Sequence, residues 1–405
     1  MSTDRLVQCP RRPHARFDRG FSLVELLVAS AVALCLLAAL LGATADAQRS
    51  ALTQPEVADL EQRLRTATAA LVTDLERAGA GTPLGCAPGP LHRHLAPVRP
   101  HRIGLRGAQP PGTVDPRTLS VISSPADAHL AVLASPLVSA VATVAIGPCA
   151  GAHSASPTLG FEDGMSVAVI DPDGVTDLFQ ITAAQPGALD LALMAGAMNG
   201  THASGACIVE VEVASYTTAP DASTGALTLT RYDGFRSELP VVDHLVDLRF
   251  AYFGEPRAPR LIKDAGEPSG PWTTYGPRPP PVGTDNPRDV WPAGESCLFA
   301  GGGPPQPPRL TELGIATGGL VELDAASLAD GPWCPDVGSP SGYDADLLRI
   351  RRVAVVIRVQ VPTPFLRGPV GPLFGRGGSS TGGTLFVPDR SATLDITLRN
   401  MGVDR

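Results

Sequence analysis

Between Phe21 and Leu41 the chain carries one charge, Glu25, in 21 residues. A helix rising about 1.5 Å per residue over that run can cross a hydrocarbon core of about 30 Å. A polar leader precedes it, with Arg5, Arg11, Arg12, Arg16 and Arg19 against Asp4 and Asp18. A secretory signal peptide places its small-residue cleavage site after the apolar stretch. Here the small residue, Gly20, and the polar-to-apolar junction come before it. An acid at the centre of a membrane helix costs roughly 2.5–3.5 kcal/mol, less near its end, so Glu25 needs a partner.

Cleavage after Gly20 would supply that partner, because the new amine of Phe21 lies one helical turn from Glu25. The string Gly20-Phe21-Ser22-Leu23-Val24-Glu25, continuing Leu26-Leu27-Val28-Ala29, resembles the type IV prepilin signature. The resemblance implies that a prepilin peptidase cuts after Gly20 on the cytoplasmic side and N-methylates Phe21. It further implies that the helix is first an inner-membrane anchor and later filament core, where Glu25 meets a neighbouring subunit's amine. A leader longer than in many major pilins favours a minor pilin or a pseudopilin.

The formal charge is −8, and loss of residues 1–20 removes five arginines and two acids, leaving −11. An acidic ectodomain gives no electrostatic case for nucleic acid. The leader's arginines hold the N-terminus in the cytoplasm, with the bulk of the chain beyond the membrane. Forty-three glycines and 41 prolines with few aromatics argue for loop-rich β structure over a helical bundle. The expected class is α+β: a long N-terminal hydrophobic helix, then an antiparallel β-rich domain.

Cys9 leaves with the leader and Cys35 lies in the apolar run, so five cysteines remain: Cys86, Cys149, Cys207, Cys297 and Cys334. Their wide spacing matches no zinc pattern, which shows close Cys-x-x-Cys pairs. Disulfides in an oxidising periplasm are the better reading, with at least one thiol left over. Cys297–Cys334 is favoured because both lie in Pro/Gly-rich loops with little core, and Cys149–Cys207 is the second expectation.

Beyond the apolar run, Val57, Leu60, Leu64, Ala67, Leu71, Leu75 and Ala78 form one helical stripe. Asp59–Arg63 and Glu61–Arg65 are i,i+4 pairs on the wet side. Thr53-Gln54-Pro55-Glu56 reads as a capping box with proline in the first turn, predicting a kink or restart there. Gly79 and Gly81 end the helix. From Leu119 the period changes to two. Val209, Val211 and Val213 alternate with Ile208, Glu210 and Glu212; Val353 to Val361 and Leu394 to Leu398 alternate likewise, predicting half-buried antiparallel strands. Further strands are expected at Ser166–Ile170, Leu178–Thr182, Ala226–Arg231 and Leu245–Phe253. The expected segments are a leader 1–20, a membrane or filament-core helix 21–42, its amphipathic continuation 43–80, and a periplasmic β domain 81–405. Residues 254–342, dense in Pro and Gly, read as an inserted surface excursion.

Several later blocks extend the resemblance: Asp74-Leu75-Glu76-Arg77-Ala78-Gly79 before Cys86, Asp177 to Thr182, Leu245 to Tyr252, Arg352 to Arg358, and Leu398-Arg399-Asn400. Their order resembles that in PilW-like minor pilins, and J-type pseudopilins of type II secretion share much of the layout. The excursion 254–342 has no counterpart.

His92, His94 and His101 lie near Cys86, but prolines break the segment, so a solvated loop is expected and not a metal site. Asp171-Pro172-Asp173-Gly174 with Asp177 lacks the spacing and terminal Glu of a calcium loop and reads as a strand-to-strand turn. Neither Gly-x-Ser-x-Gly nor His-Glu-x-x-His occurs, and Gly301-Gly302-Gly303 runs into prolines instead of a helix. The expected protein is therefore non-enzymatic and needs no metal or cofactor. It is a minor pilin, with prepilin peptidase, other minor pilins, the major pilin and the inner membrane as partners. A type II secretion pseudopilin is the alternative within the fold, and an anchored adhesin or binding protein is the alternative outside it.

Overall fold

The structure is a computed structural model that describes residues 22–81, 90–149, 156–171, 175–194, 196–222, 225–259, 262–263, 272–273, 297–298, 308–314, 319–337, 342–367 and 387–401. The chain divides into two compact units, Met1–Pro55 and Glu56–Arg405. Helix α1 spans Leu23–Arg77 with Pro55 inside it. The expected restart is absent, because residues on both sides of Pro55 belong to one helix. With no new N-terminus to cap, Glu56 instead accepts a hydrogen bond from the Thr363 hydroxyl at 2.6 Å.

In the second unit the stripe read from the sequence is the buried face. Leu60, Ala67, Leu71, Leu75 and Ala78 are fully buried, and Val57 and Leu64 pack partly buried against the same core. Each buried leucine contributes roughly 1.5–3 kcal/mol. Asp59–Arg63 forms at 2.8 Å, whereas Glu61 lies 3.8 Å from Arg390. Gly79, at φ +74°, ends the helix in a conformation that favours glycine. A Cβ there would stand 3.2 Å from both Met401 Sδ and Pro97 Cγ.

The strands are β1 (Val98–Arg99), β2 (Leu119–Ser123), β3 (Leu130–Leu133), β4 (Val141–Gly147), β5 (Ser166–Ile170), β6 (Thr176–Gln185), β7 (Ala188–Leu193), β8 (Cys207–Pro220), β9 (Leu227–Tyr232) and β10 (Glu238–Gly254). There follow β11 (Ile262–Lys263), β12 (Trp272–Thr273), β13 (Val321–Leu323), β14 (Trp333–Cys334), β15 (Tyr343–Asp344), β16 (Ile350–Val359) and β17 (Arg390–Thr397). All pairings are antiparallel, in the order β17-β16-β10-β9-β8-β3-β4-β7-β6-β5, and β5 returns to pair with β8. Strand β8 is thus shared. Its N-terminal half, from Cys207 to Val211, closes the ring with β3 and β5; its C-terminal half pairs with β2 and β9.

That sharing creates two cores. Val209, Val211 and Val213 face the core that α1 packs on, while Ile208 faces a second core inside the ring with Val167, Val169, Phe179 and Ile181. Ile208 is therefore buried, not on a wet face, and Ser166–Ile170 is buried along its whole length. A strand covered on both sides reads as an unbroken apolar run. Strands β3, β4 and β7 were not expected from the sequence. In all three, buried positions alternate with less buried ones, but Ala and Val occupy both sets, so the contrast in the sequence is low.

Described parts of the excursion return to the main core, so it is more than a surface loop. Strand β13 pairs with β10, Leu323 opposite Tyr252. Cys297, Leu298, Leu310, Leu328 and Cys334 are buried there. Arg349, 1% exposed, fastens the segment: Nη1 donates to Pro256 O at 2.7 Å and Nη2 to Thr311 O at 2.5 Å, with Asp346 Oδ1 2.5 Å from Nε. Isolated apolar residues among Pro and Gly show no period, so the sequence hides this packing.

Candidate functional site

The Leu26 N–H donates to the Ser22 carbonyl at 3.1 Å, which places Glu25 in the first turn of α1. A carboxylate is favoured there by the helix dipole. Glu25 is exposed, and so are Leu23, Val24, Leu26, Leu27, Leu34 and Leu40 around it. Leu23–Thr44 is long and apolar enough to cross a membrane. Apolar residues on every side of a helix need cover from lipid or other chains. Gly20 and Phe21 lie outside the described residues.

The end of α1 is tied to the sheet by charge as well as by its stripe. Asp74 receives Arg231 Nε and the Tyr216 hydroxyl on one oxygen, each at 2.7 Å. Arg77 pairs with Glu212 at 2.8 Å and Glu76 with Arg399 at 3.1 Å. Asn400 Nδ2 donates to the Glu76 and Ala78 carbonyls at the helix end. The blocks Asp74–Gly79 and Leu398–Asn400, far apart in sequence, therefore meet. Nearer Glu56, Arg63 reaches Asp243 at 2.7 Å.

Cys297 and Cys334 are joined in a disulfide closing 37 residues. Cys149 and Cys207 are not joined, which corrects the second expectation. Cys149 is disulfide-bonded, whereas Cys207 is in no disulfide and its thiol is buried, pushed up to about 12 by desolvation. The reason is register. Cys207 opens β8 opposite Val132 and Ile170, with its side chain among the main core residues.

His92, His94 and His101 are 5%, 4% and 3% exposed, so the solvated loop is also corrected. The segment from Leu91 to Ile103 packs against the core through Leu91, Leu95, Ala96, Val98 and Ile103. Burial, reinforced by Arg99, lowers His101 to about 3 and keeps it neutral.

The turn acids Asp171 and Asp177 converge on a residue the sequence reading passed over. His202, fully buried, places Nδ1 2.8 Å from Asp171 and Nε2 3.0 Å from Asp177. Asp177 also accepts from the Asn199 amide groups, and the Ala203 N–H donates to Asp171. Burial opposes the charge on His202, but the two carboxylates outweigh it and raise the imidazole to about 9. A lone His gives no local signal that it will meet two acids some 25 and 31 residues away.

With both nitrogens held by carboxylates, His202 cannot serve as a base. His129 Nδ1 meets Glu210 at 2.7 Å, yet among the described residues no hydroxyl or thiol bonds to that ring. Asp330, Asp344 and Asp346 bring carboxylate oxygens within 4.8 Å of one another. Asp344 accepts from the Gly331 and Asp346 N–H groups, and Asp346, pushed up to about 7 by burial, faces Arg349. Asp344 thereby caps the turn Ala345–Arg349.

Residues 16–41 match the family model for the prokaryotic N-terminal methylation motif. The N-terminal region is therefore type IV pilin-like, with processing by a prepilin peptidase and assembly with other pilins as what that motif implies. Comparison with curated proteins and with solved structures gives no match.

Proposed function

We propose that this chain is a non-enzymatic minor pilin of the PilW-like kind, entering a type IV pilus near its tip and helping to start assembly. The observation that carries the reading is the methylation motif at residues 16–41 on a helix whose apolar side chains are exposed in the single chain. Before assembly lipid covers that surface, with a single pass through the inner membrane and the β domain in the periplasm. The Cys297–Cys334 disulfide suits that oxidising compartment. In the filament, neighbouring helices replace lipid and a neighbour's N-terminal amine pairs with Glu25, in low-dielectric surroundings that strengthen the contact.

A deletion strain tests the reading through piliation, twitching motility and type II secretion. Loss of pili with intact secretion supports it. Intact pili with lost secretion would move the chain to the pseudopilins. If both persist and surface binding is lost, the protein is an anchored adhesin.

A further inference from the structure

His244 stands in the left-handed region of backbone space, at φ +50°. It lies in a bulge of β10: Val242 pairs with Leu229 and Leu245 with Leu227, so β10 carries one residue more than β9. Glycine takes that conformation most easily, and a larger residue there is held by its contacts. The Gln360 N–H donates to the His244 carbonyl at 3.0 Å. The imidazole is only 11% exposed, and its Nδ1 lies 3.5 Å from Arg367 Nη2 in a long hydrogen bond. A guanidinium can only donate, so His244 Nδ1 is the acceptor and the ring in this contact is neutral.

Arg367 closes a strap, residues 361–367, onto itself. Its Nε donates to the Val361 carbonyl at 2.8 Å and its Nη2 to the Pro362 carbonyl at 2.9 Å. Within that loop the Thr363 hydroxyl donates to Glu56 of α1. The strap therefore holds α1 at Glu56, and the guanidinium that shapes the strap rests on His244. Other charged groups face the ring. Arg63 comes from α1, Asp243 from the same bulge and Asp221 from the turn after β8. Asp243 Oδ2 is 3.9 Å from His244 Nε2, but Oδ1 is engaged by Arg63 at 2.7 Å. Asp389, which Arg367 also influences, is taken by Arg358 at 2.8 Å.

We propose that His244 is an acid-sensitive pin, whose protonation releases Arg367, opens the strap and frees Glu56 from Thr363. The protonated ring carries an N–H at Nδ1 and cannot accept from Arg367. It also sets one cation against another at contact distance. Burial, together with Arg367 and Arg63, holds the imidazole below its ordinary value of 6.5, against the pull of Asp243 and Asp221. The closed strap thus disfavours the proton. Opening takes one up, and closure weakens as pH falls below 6.5. Leu60 to Ala78 stay buried in the main core throughout, so the domain's hold on α1 has an acid-labile first contact and an acid-stable remainder. The device does not depend on the pilin reading.

Hydrogen exchange on the full chain in detergent micelles, at about pH 7.5 and about pH 5, reads the strap. Rates are normalised to the chemical exchange rate at each pH. The Leu366 and Arg367 amides, bonded to the Thr363 and Pro364 carbonyls, should lose protection on the order of three- to tenfold at the lower pH. Amides of β16 should not. His244→Asn keeps a residue that tolerates positive φ but cannot titrate, and the pH dependence should vanish with it. NMR titration of the ring needs no variant: His244 should titrate below 6.5, and Arg367→Gln should move it upward. Equal wild-type protection at both pH values, the same loss in folded His244→Asn, a ring titrating at or above 6.5, or a titration unmoved in Arg367→Gln would overturn the proposal. His244 would then be a structural residue of the bulge.

Discussion

Asp74 on α1 and Arg231 on β9 form a forked ion pair, Nε to Oδ2 at 2.7 Å and Nη2 to Oδ1 at 3.3 Å. Asp74 is largely buried, and the Tyr216 hydroxyl donates to the same Oδ2 at 2.7 Å. Burial and Asp74 both raise the Tyr216 phenol, which stays a donor at every physiological pH. Removing Asp74 leaves a half-buried guanidinium and a buried hydroxyl without their acceptor. We expect Asp74→Ala to cost about 2–4 kcal/mol in urea unfolding, and Tyr216→Phe only about 1 kcal/mol. Equal losses would show that the hydroxyl, not the ion pair, ties the helix to the sheet.

The buried Asp171–His202–Asp177 cluster makes stability depend on alkaline pH. His202 is raised to about 9 in the folded chain from an ordinary value of 6.5. A raised imidazole contributes fully below pH 6.5 and loses its contribution as pH climbs through 9. At its maximum the contribution is on the order of 3 kcal/mol. Wild-type Tm should therefore fall between pH 7 and pH 10, and His202→Gln should be less stable at pH 7 with a flatter profile over that range. A parallel fall in both proteins would assign the alkaline loss to other groups.

Peptide mapping without reduction checks the cysteines. Cys297 and Cys334 should be recovered linked, and Cys207 should take up alkylating reagent only after denaturation. Its slow reaction follows from burial and a thiol pushed up to about 12. Cys149 should be linked to a peptide other than the one holding Cys207. With Cys9 in the leader and Cys35 in the anchor, the remaining cysteine of the sequence is Cys86. A Cys149–Cys207 peptide would contradict the register of β8.

Glu25 should govern assembly without governing folding. It lies in the first turn of α1 and contributes nothing to either core of the β domain. Glu25→Ala should be cleaved after Gly20, begin at N-methyl-Phe21, unfold like wild type, and be strongly depleted from sheared pili. Wild-type abundance in the filament fraction would remove the charge pairing from the assembly mechanism.

Features that depend on residues close along the chain are written in the order of amino acids alone. The methylation motif needs only neighbours from Gly20 to Glu25, and the α1 stripe repeats every three or four residues, so both were legible. Strands β8, β10, β16 and β17 were legible because each is long enough for its alternation to show. Other features arise only when the strands assemble. The closing of β5 onto β8 buried Ile208 and gave the domain a second core, which no local period encodes. The same folding brought His202 between Asp171 and Asp177, and Arg99 beneath Tyr343, across gaps that only strand pairing can bridge. Long-range contacts carry no local signal, because the residues that make them are selected by where the sheet puts them and not by what stands beside them in the chain.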